Sequence, residues 1–402
     1  MQKSLEITAA NVDPALLDLP WNIPLEQWGD DVVVALPRGI SRHIVRFVKL
    51  SGRILAIKEI GEEVAYSEYN LLRELGKIDI PTVEATAVIT GRTDANGEPL
   101  NCALVTEHLA YSLPYRALFS NRMRSETVLR LIDSLAVLLV RLHISGFYWG
   151  DCSLSNTLFR RDAGEFAAYL VDAETGELHE KLSSGQRNYD LDLARTNVIG
   201  ELMDLQAGAL IGDDLDTVEM GSRIVERYET LWEEITAVEH LNIQDKWKIE
   251  ERIKRLNDLG FDVGELTMTT DIDGTSLLIK PKVVDAGHYS RQILRLTGMD
   301  VEEQQARHMI NDMHTYQITT GRKDVPMEIV AHAWLDEVFE GTLAQVPVEL
   351  LTKLEPAQIF HEVLEHKWYL SDKQGSDVDI IVAAKSYVRD ILQNRVDERE
   401  FL

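Results

Sequence analysis

Three side chains pose the first question. Asp151 and Asn156 lie five residues apart in GDCSLSN, and Asp172 follows directly on the apolar run FAAYLV. A loop carboxylate can orient or deprotonate an attacking hydroxyl, while an amide oxygen and a second carboxylate can hold a divalent cation against phosphate oxygens. Singly, each also reads as a turn former, the commonest use of Asp and Asn. Their types, order and spacing together point to phosphoryl chemistry. Upstream stand two more charges. Strict alternation in RILAIKEI puts Lys58 on a strand face with Ile54, Ala56 and Ile60, and Glu68 falls on the apolar stripe of the next helix with Val64, Leu71, Leu72 and Leu75. Two inward charges on adjacent elements make physical sense as a pair, because an unpaired buried charge is very costly. A strand lysine held by a helix glutamate is an arrangement that receives nucleotide phosphates. A solvated strand-edge lysine and a surface glutamate would read the same way.

The elements that must position these groups are legible. Residues 1–30, rich in Pro and Trp, read as an extended arm. From residue 31 come strand-like runs, DVVVAL, HIVRFVKL and RILAIKEI, the last two joined by a Ser-Gly turn. A helix over 62–75 follows, and then two more strands around VEATAVIT and CALVTEHL. ETVLRLIDSLAVLLVRLH places Val128, Leu131, Ile132, Leu135, Leu138, Leu139 and Leu142 on one helical face. A sheet-rich unit followed by a helix-rich one suggests two lobes, with the catalytic cluster at the start of the second. Beyond residue 216 the text turns to charged amphipathic helices and a hairpin whose Asp273-Gly274 turn joins LTMTTDI to TSLLIKP.

Bulk properties exclude several classes. At 402 residues the chain has room for more than one domain, and 45% hydrophobic with 27% charged residues is ordinary for a globular protein. A net charge of -26 opposes nucleic acid or an anionic membrane surface as the main partner. Two cysteines, Cys102 and Cys152, cannot build a disulfide framework, so a reducing cytoplasm is the expected compartment. No segment reads as a signal peptide or a bilayer span.

The segment 31–215 resembles the catalytic core of the protein-kinase-like superfamily, nearer to its lipopolysaccharide-kinase and aminoglycoside-phosphotransferase branches than to typical Ser/Thr kinases. LRLHISGFYWGDCSLSNTLF is similar to the catalytic loop of those branches, LVDAE stands where Asp-Phe-Gly is usual, and YDLDLAR resembles the stretch that buttresses the loop, with Asp192 the matching residue. The resemblance implies a bilobal α+β fold, ATP and Mg²⁺ as cofactors, Asp151 as catalytic base, Asn156 and Asp172 as Mg²⁺ ligands, and Lys58, supported by Glu68, on phosphate. It makes VTEHL the inter-lobe hinge, with Glu107 and Leu109 beside adenine, and PRGISRH the phosphate-covering loop, with Gly39, Ser41 and Arg42 in that role.

The departures matter. The covering loop has one glycine, Ser153 stands where protein kinases carry lysine, Glu174 adds a carboxylate beside Asp172, and no Ala-Pro-Glu segment follows to position a peptide.

With the segments VDAGHYSRQILRLTG, ARHMINDMH and LEHKWYLSD, residues 216–402 resemble an uncharacterised domain found downstream of such kinase-like units in actinobacterial proteins, which implies a mainly helical domain without an assigned role. In HEVLEH the two histidines are five apart and diverge on a helix, so His361 with Glu365 and Glu362 with His366 are expected as i,i+4 surface pairs, and Trp368 and Tyr369 as core or interface. The expected organisation is an arm (1–30), an N-lobe (31–109), a C-lobe (110–215) and a C-terminal domain (216–402). The expected activity is Mg·ATP-dependent phosphoryl transfer to a hydroxyl on a small molecule or glycan, with a protein partner for the C-terminal domain an open matter. A nucleotide-binding pseudokinase and a nucleotidyl transferase on the same fold are the alternatives.

Overall fold

Aliphatic and β-branched residues alternate with polar ones through the first hundred positions, and in the computed structural model they build one antiparallel sheet. The structure describes residues 4–11, 13–36, 43–119, 125–237, 239–242, 247–259, 261–270 and 276–398. Six strands, β1 (Glu6–Ala9), β2 (Val33–Val34), β3 (Ile44–Leu50), β4 (Arg53–Ile60), β5 (Ala85–Thr90) and β6 (Cys102–Glu107), lie in the order β1-β5-β6-β4-β3-β2. Ser51 and Gly52 turn β3 into β4 with positive φ at both positions. The resulting register sets Lys58 of β4 between Val45 and Leu104. Helix α1 (Glu62–Lys77) buries Ala65, Glu68, Tyr69, Leu72 and Leu75, so Glu68 lies on its core-facing stripe.

The segment read as an extended arm is instead part of this sheet. Residues 6–9 form its edge strand against β5. Leu16, Leu19, Trp21, Leu25 and Trp28 fill one core with Leu55, Ile57, Ala87 and Val105. Two tryptophans bury too much apolar surface to be left in water, and each indole N–H finds a carbonyl, Trp21 that of Leu16 and Trp28 that of Ile23. Arg92, 2% exposed, holds the segment in place by donating to the Trp21 and Ile23 carbonyls while its other nitrogen meets Glu59 at 2.6 Å.

The helical lobe begins with β7 (Leu113–Pro114), α2 (Tyr115–Phe119) and α3 (Ser125–Ile144). All seven apolar residues expected on one face of α3 are buried, each contributing about 2 kcal/mol of transfer free energy. After α3 come β8 (Phe147–Tyr148), β9 (Thr157–Asp162), β10 (Glu165–Leu170) and β11 (Glu177–Leu178). Helix α4 (Ser184–Ala207) starts on a Ser183/Gln186 capping box, and α5 (Thr217–Thr236) follows. β9 pairs with β7 and β10, and β8 with β11.

The chain divides into two units, Met1–Phe159 with Ala168–Tyr228, and Arg160–Ala167 with Glu229–Glu400. In the second, β13 (Phe261–Thr270) and β14 (Ser276–Ala286) form the expected hairpin, whose Asp273-Gly274 turn lies outside the described residues. β12 (Glu239–Asn242) adds a third strand beside β14. The rest of the unit is helical, with α6 (Trp247–Asp258), α7 (His288–Thr297), α8 (Glu303–Thr319), α9 (Met327–Trp334), α10 (Gly341–Leu343), α11 (Pro356–Gln374) and α12 (Ile380–Asp390). Trp334, Phe339 and Phe360 centre one core, and Ile359, Val363, Ala384 and Tyr387 a second.

For this unit one expectation is narrowed from core or interface to interface alone, and a second fails. Trp368 and Tyr369 are 71% and 54% exposed, because α11 turns its other face inward. His361 does approach Glu365, but His361 and Glu362 are themselves buried, and Glu362 takes Tyr387 and Arg395 as partners while His366 meets Ser386. The spacing correctly placed these residues on one helix; it could not say which of its faces is core.

The His308 and His361 rings lie 4.9 Å apart. Burial lowers the pKa of both, with His361 and Arg307 adding to the effect on His308, and Glu365 and Glu362 opposing it on His361. A histidine whose folded pKa is depressed stabilises the fold in its neutral form. That stability starts to be lost as pH falls below the ordinary value of 6.5 and is fully gone below the lowered folded value. Between about pH 7 and about pH 5, the unfolding temperature of the wild type is expected to drop more steeply than that of His308→Gln, measured by differential scanning calorimetry.

Candidate active site

The site is assembled by short-range backbone constraints that bring distant side chains to one point. Gly150 has φ +76°, and a Cβ there would sit 3.2 Å from the Thr175 carbonyl, so the chain can pass to Asp151 only as glycine. The turn is held from beneath by Asp190 of α4, which is fully buried. Its carboxylate accepts the Trp149 N–H at 2.8 Å and the Gly150 N–H at 2.9 Å, and meets His143 Nε2 at 3.1 Å. The other ring nitrogen of His143 meets the Tyr228 hydroxyl at 2.8 Å. Asp192, the residue matched by resemblance to this buttressing role, is not the buttress. Its side chain is 74% exposed beside Arg195, because two residues along a helix is a rotation of about 200°.

Downstream of Asp151 the loop closes on itself. The Asn156 amide nitrogen donates to the Asp151 carbonyl (2.9 Å) and to its Oδ2 (3.1 Å), while Asn197 Nδ2 of α4 donates to Asp151 Oδ1 (3.3 Å) and the Cys152 carbonyl (3.0 Å). Glu201, one turn further along α4, accepts the N–H groups of Leu154 (2.7 Å) and Ser155 (2.9 Å). Burial pushes the Glu201 pKa up, against the pull of those hydrogen bonds. Ser153, standing where protein kinases carry lysine, serves the loop itself: its Oγ accepts the Asn156 N–H and its carbonyl accepts Thr157 Oγ1. Burial raises the pKa of the Cys152 thiol well above its usual value, so it stays an unreactive thiol.

Asp172 arrives by the β9–β10 hairpin. The Val171 N–H bonds the Asn156 carbonyl, and Trp149 Nε1 donates to the Asp172 carbonyl. Lys58 Nζ lies 2.9 Å from Glu68, 3.0 Å from Asp172 and 3.5 Å from Glu174. Glu174 in turn meets His43 Nε2 at 2.8 Å. Burial alone would depress the Lys58 ammonium, but the Glu68 and Asp172 carboxylates outweigh it and raise its pKa. Glu68 is pushed up to about 7, first by burial and then by the Asp172 charge, against the pull of Lys58. Deleting one partner of so buried a pair leaves an uncompensated charge and costs about 3–5 kcal/mol.

The structure therefore brings together Lys58, Glu68 and Asp172 at one contact cluster and Asp151 with Asn156 at another, joined through the Asn156–Val171 backbone bond. It does not bring Glu107 or Leu109 into either. The Glu107 N–H bonds the Glu84 carbonyl, its carboxylate pairs with Arg53, and the Leu109 carbonyl accepts the Ser112 N–H. Glu107 pairs with Leu55, three residues before Lys58 on β4, which separates the two positions by about 10 Å along the strand. Gly39, Ser41 and Arg42 lie outside the described residues. Asp190, Asn197 and Glu201 went unread in the sequence, although polar residues at i, i+7 and i+11 on one helical face were the signal for them.

Among the described residues, the carboxylate oxygens of Glu68, Asp172 and Glu174 lie within 4.8 Å of one another, close enough to share one cation. Asn156, with its nitrogen turned to Asp151, leaves Oδ1 as the atom that could ligate a cation.

Residues 46–202 match the Lipopolysaccharide kinase (Kdo/WaaP) family, and residues 230–392 match a domain of unknown function (DUF4032). Among solved structures, WaaP in complex with acyl carrier protein is similar at 16% identity and a TM-score of 0.38, over 63% of this chain and 99% of that one. No curated protein matches the sequence. The match over residues 46–202 supports a kinase or phosphotransferase unit in that part of the chain. No helix among the described residues is long and apolar enough to cross a membrane.

Asp190→Ala is expected to cost about 3 kcal/mol, the penalty of stranding buried polar partners, whereas Asp192→Ala leaves the denaturation midpoint where it was. Urea titration of the two variants checks the assignment.

Proposed function

We propose that this kinase-type unit transfers the terminal phosphoryl group of ATP, with Mg²⁺, to a hydroxyl on a small molecule or glycan. The observation that carries the reading is Lys58 Nζ held at once by Glu68 at 2.9 Å and Asp172 at 3.0 Å. An inward strand lysine tied to a helix glutamate presents a fixed cation to phosphate oxygens, and Asp172 beside it is a hard oxygen donor suited to Mg²⁺.

The donor set fits a divalent cation. Asp172 and Asn156 would hold Mg²⁺, and Glu174 has a carboxylate oxygen close enough to one of Asp172 to share the cation. When bound, Mg²⁺ supplies charge neutralisation along the phosphate chain.

The remaining work belongs to side chains of this protein. Asp151 is placed to orient the acceptor hydroxyl and take its proton. Donors from Asn156 and Asn197 fix both of its oxygens, so the carboxylate meets the hydroxyl in one orientation rather than several. Lys58 exchanges its carboxylate partners in part for phosphate oxygens, while Glu68 keeps it aimed. Adenine would lie toward the Glu107 end of β6. The preference for a non-protein acceptor is supported by the short path after Asp172: residues 173–183 lead straight to the Ser183 cap of α4 and hold no peptide-positioning segment.

Asp151→Ala is expected to reduce transfer by about 10²–10⁴-fold, the usual worth of a positioned base, with nucleotide affinity retained. Asp172→Ala is expected to weaken Mg·ATP binding by at least roughly ten-fold. ADP release from ATP, Mg²⁺ and a metabolite extract, with calorimetric binding of each variant, tests both. Intact turnover in Asp151→Ala would refute the base assignment. Pyrophosphate in place of ADP would mean nucleotidyl transfer, and binding without consumption would mean a sensor.

A further inference from the structure

The hairpin that carries the proposed cation ligands does not end in the unit that uses them. β9 leaves Asn156 and β10 returns to Asp172, and the Val171 N–H to Asn156 carbonyl bond (3.1 Å) ties the two positions at the base. The tip, Arg160–Ala167, belongs to the second unit. Within that unit its polar groups are matched one by one.

Arg160 meets Glu302 at 3.0 Å and Glu355 at 2.5 Å. Arg161 forms a forked pair with both oxygens of Glu398, and its carbonyl accepts Gln305 Nε2. Asp162, 4% exposed, accepts the N–H groups of Gln304 (3.1 Å) and Gln305 (2.8 Å) at the start of α8. The Ala163 N–H donates to Gln358 Oε1 at 3.1 Å.

A hairpin tip that does no more than reverse the chain is ordinarily polar and solvated. This one takes a carboxylate out of water, which is tolerated only because main-chain donors at a helix N-terminus receive it. The reversal itself, Ala163 at φ +49° and Gly164 at φ +86°, is the two-residue turn usual for a tight hairpin, so the grip lies in the polar contacts and not in the turn.

We infer that the C-terminal unit is a positioning device for the phosphotransfer centre: by gripping residues 160–163 it sets the backbone of the hairpin, and so the separation and rigidity of Asn156 and Asp172. Arg160, Arg161 and Asp162, with Glu302, Glu355, Glu398 and Gln358, are thus positioning residues for the cation ligands. The inference rests on the phosphotransfer reading for what the ligands do, though not for the grip itself. The domain matched as one of unknown function thereby acquires a role, that of holding the hairpin on which the site depends.

The test uses the full chain with Glu398→Gln, which removes the charge opposite Arg161 and keeps the shape. Amide hydrogen exchange over residues 154–172 is followed without nucleotide. Affinity for Mg²⁺ with a non-hydrolysable ATP analogue is measured by calorimetry, and transfer is measured against Mg²⁺ concentration. Faster exchange across the hairpin is expected, with about ten-fold weaker Mg²⁺-dependent binding and transfer restored by excess Mg²⁺. A general loss of structure would not be rescued in that way.

Exchange and affinity equal to wild type would overturn the inference. If Glu398→Gln does not fold, Arg160→Lys, which keeps the charge but cannot fork to Glu302 and Glu355, is read by the same criteria. If the wild type binds neither Mg²⁺ nor the analogue, the phosphotransfer reading fails. Hairpin exchange in the variants still decides the grip: faster exchange upholds it, and unchanged exchange ends it.

Discussion

One ammonium faces three carboxylates at the centre of this protein, and that imbalance organises the rest. Lys58 compensates Glu68, Asp172 and Glu174 only in part. Burial first, and then the Asp172 charge, push the pKa of the most buried of the three, Glu68, up to about 7. Positive charge near Asp172 would relieve the imbalance and free Lys58 for a phosphate oxygen, and a divalent cation carried on a phosphate chain offers that combination. In the proposed reaction the same electrostatic excess that burdens the fold is what makes the site selective for that combination.

A second constraint is the main chain. The stretch from Trp149 to Thr157 is irregular and mostly buried, so its N–H groups need acceptors that no strand or helix supplies. Carboxylates provide them in pairs: Asp190 receives Trp149 and Gly150, and Glu201 receives Leu154 and Ser155. Asp162 repeats the device in the second unit for Gln304 and Gln305. In each case a buried acid acts as a bracket on backbone. This explains how Ser153 can replace a lysine without loosening the loop: its hydroxyl and carbonyl are used to close the turn on Asn156 and Thr157.

The edges of the sheet are secured in an equally specific way. Trp21 and Trp28 cross at 5.3 Å and pack against the strand that bears Lys58, while buried Arg92 fastens their backbone. A segment that reads as an arm thus packs against the strand that bears Lys58.

How much of this was legible follows from the range of each interaction. The sequence by itself determined the local elements and the kind of chemistry: the period-2 strands, the apolar face of α3, the turn-bounded Asp151–Asn156 loop, the strand-final Asp172 and the inward Lys58 and Glu68. Each of these depends on neighbours within a turn or a strand. What it could not determine was which of two acids on one helix, Asp190 or Asp192, faces the loop, or which face of α11 is core. Nor could it foresee that residues 6–28 close the sheet, or that a hairpin rooted at the site has its tip held by α8, α11 and Glu398. Those outcomes were decided only by the tertiary structure, because burial of a helix face and satisfaction of a lone N–H depend on partners far away along the chain, about which periodicity carries no information.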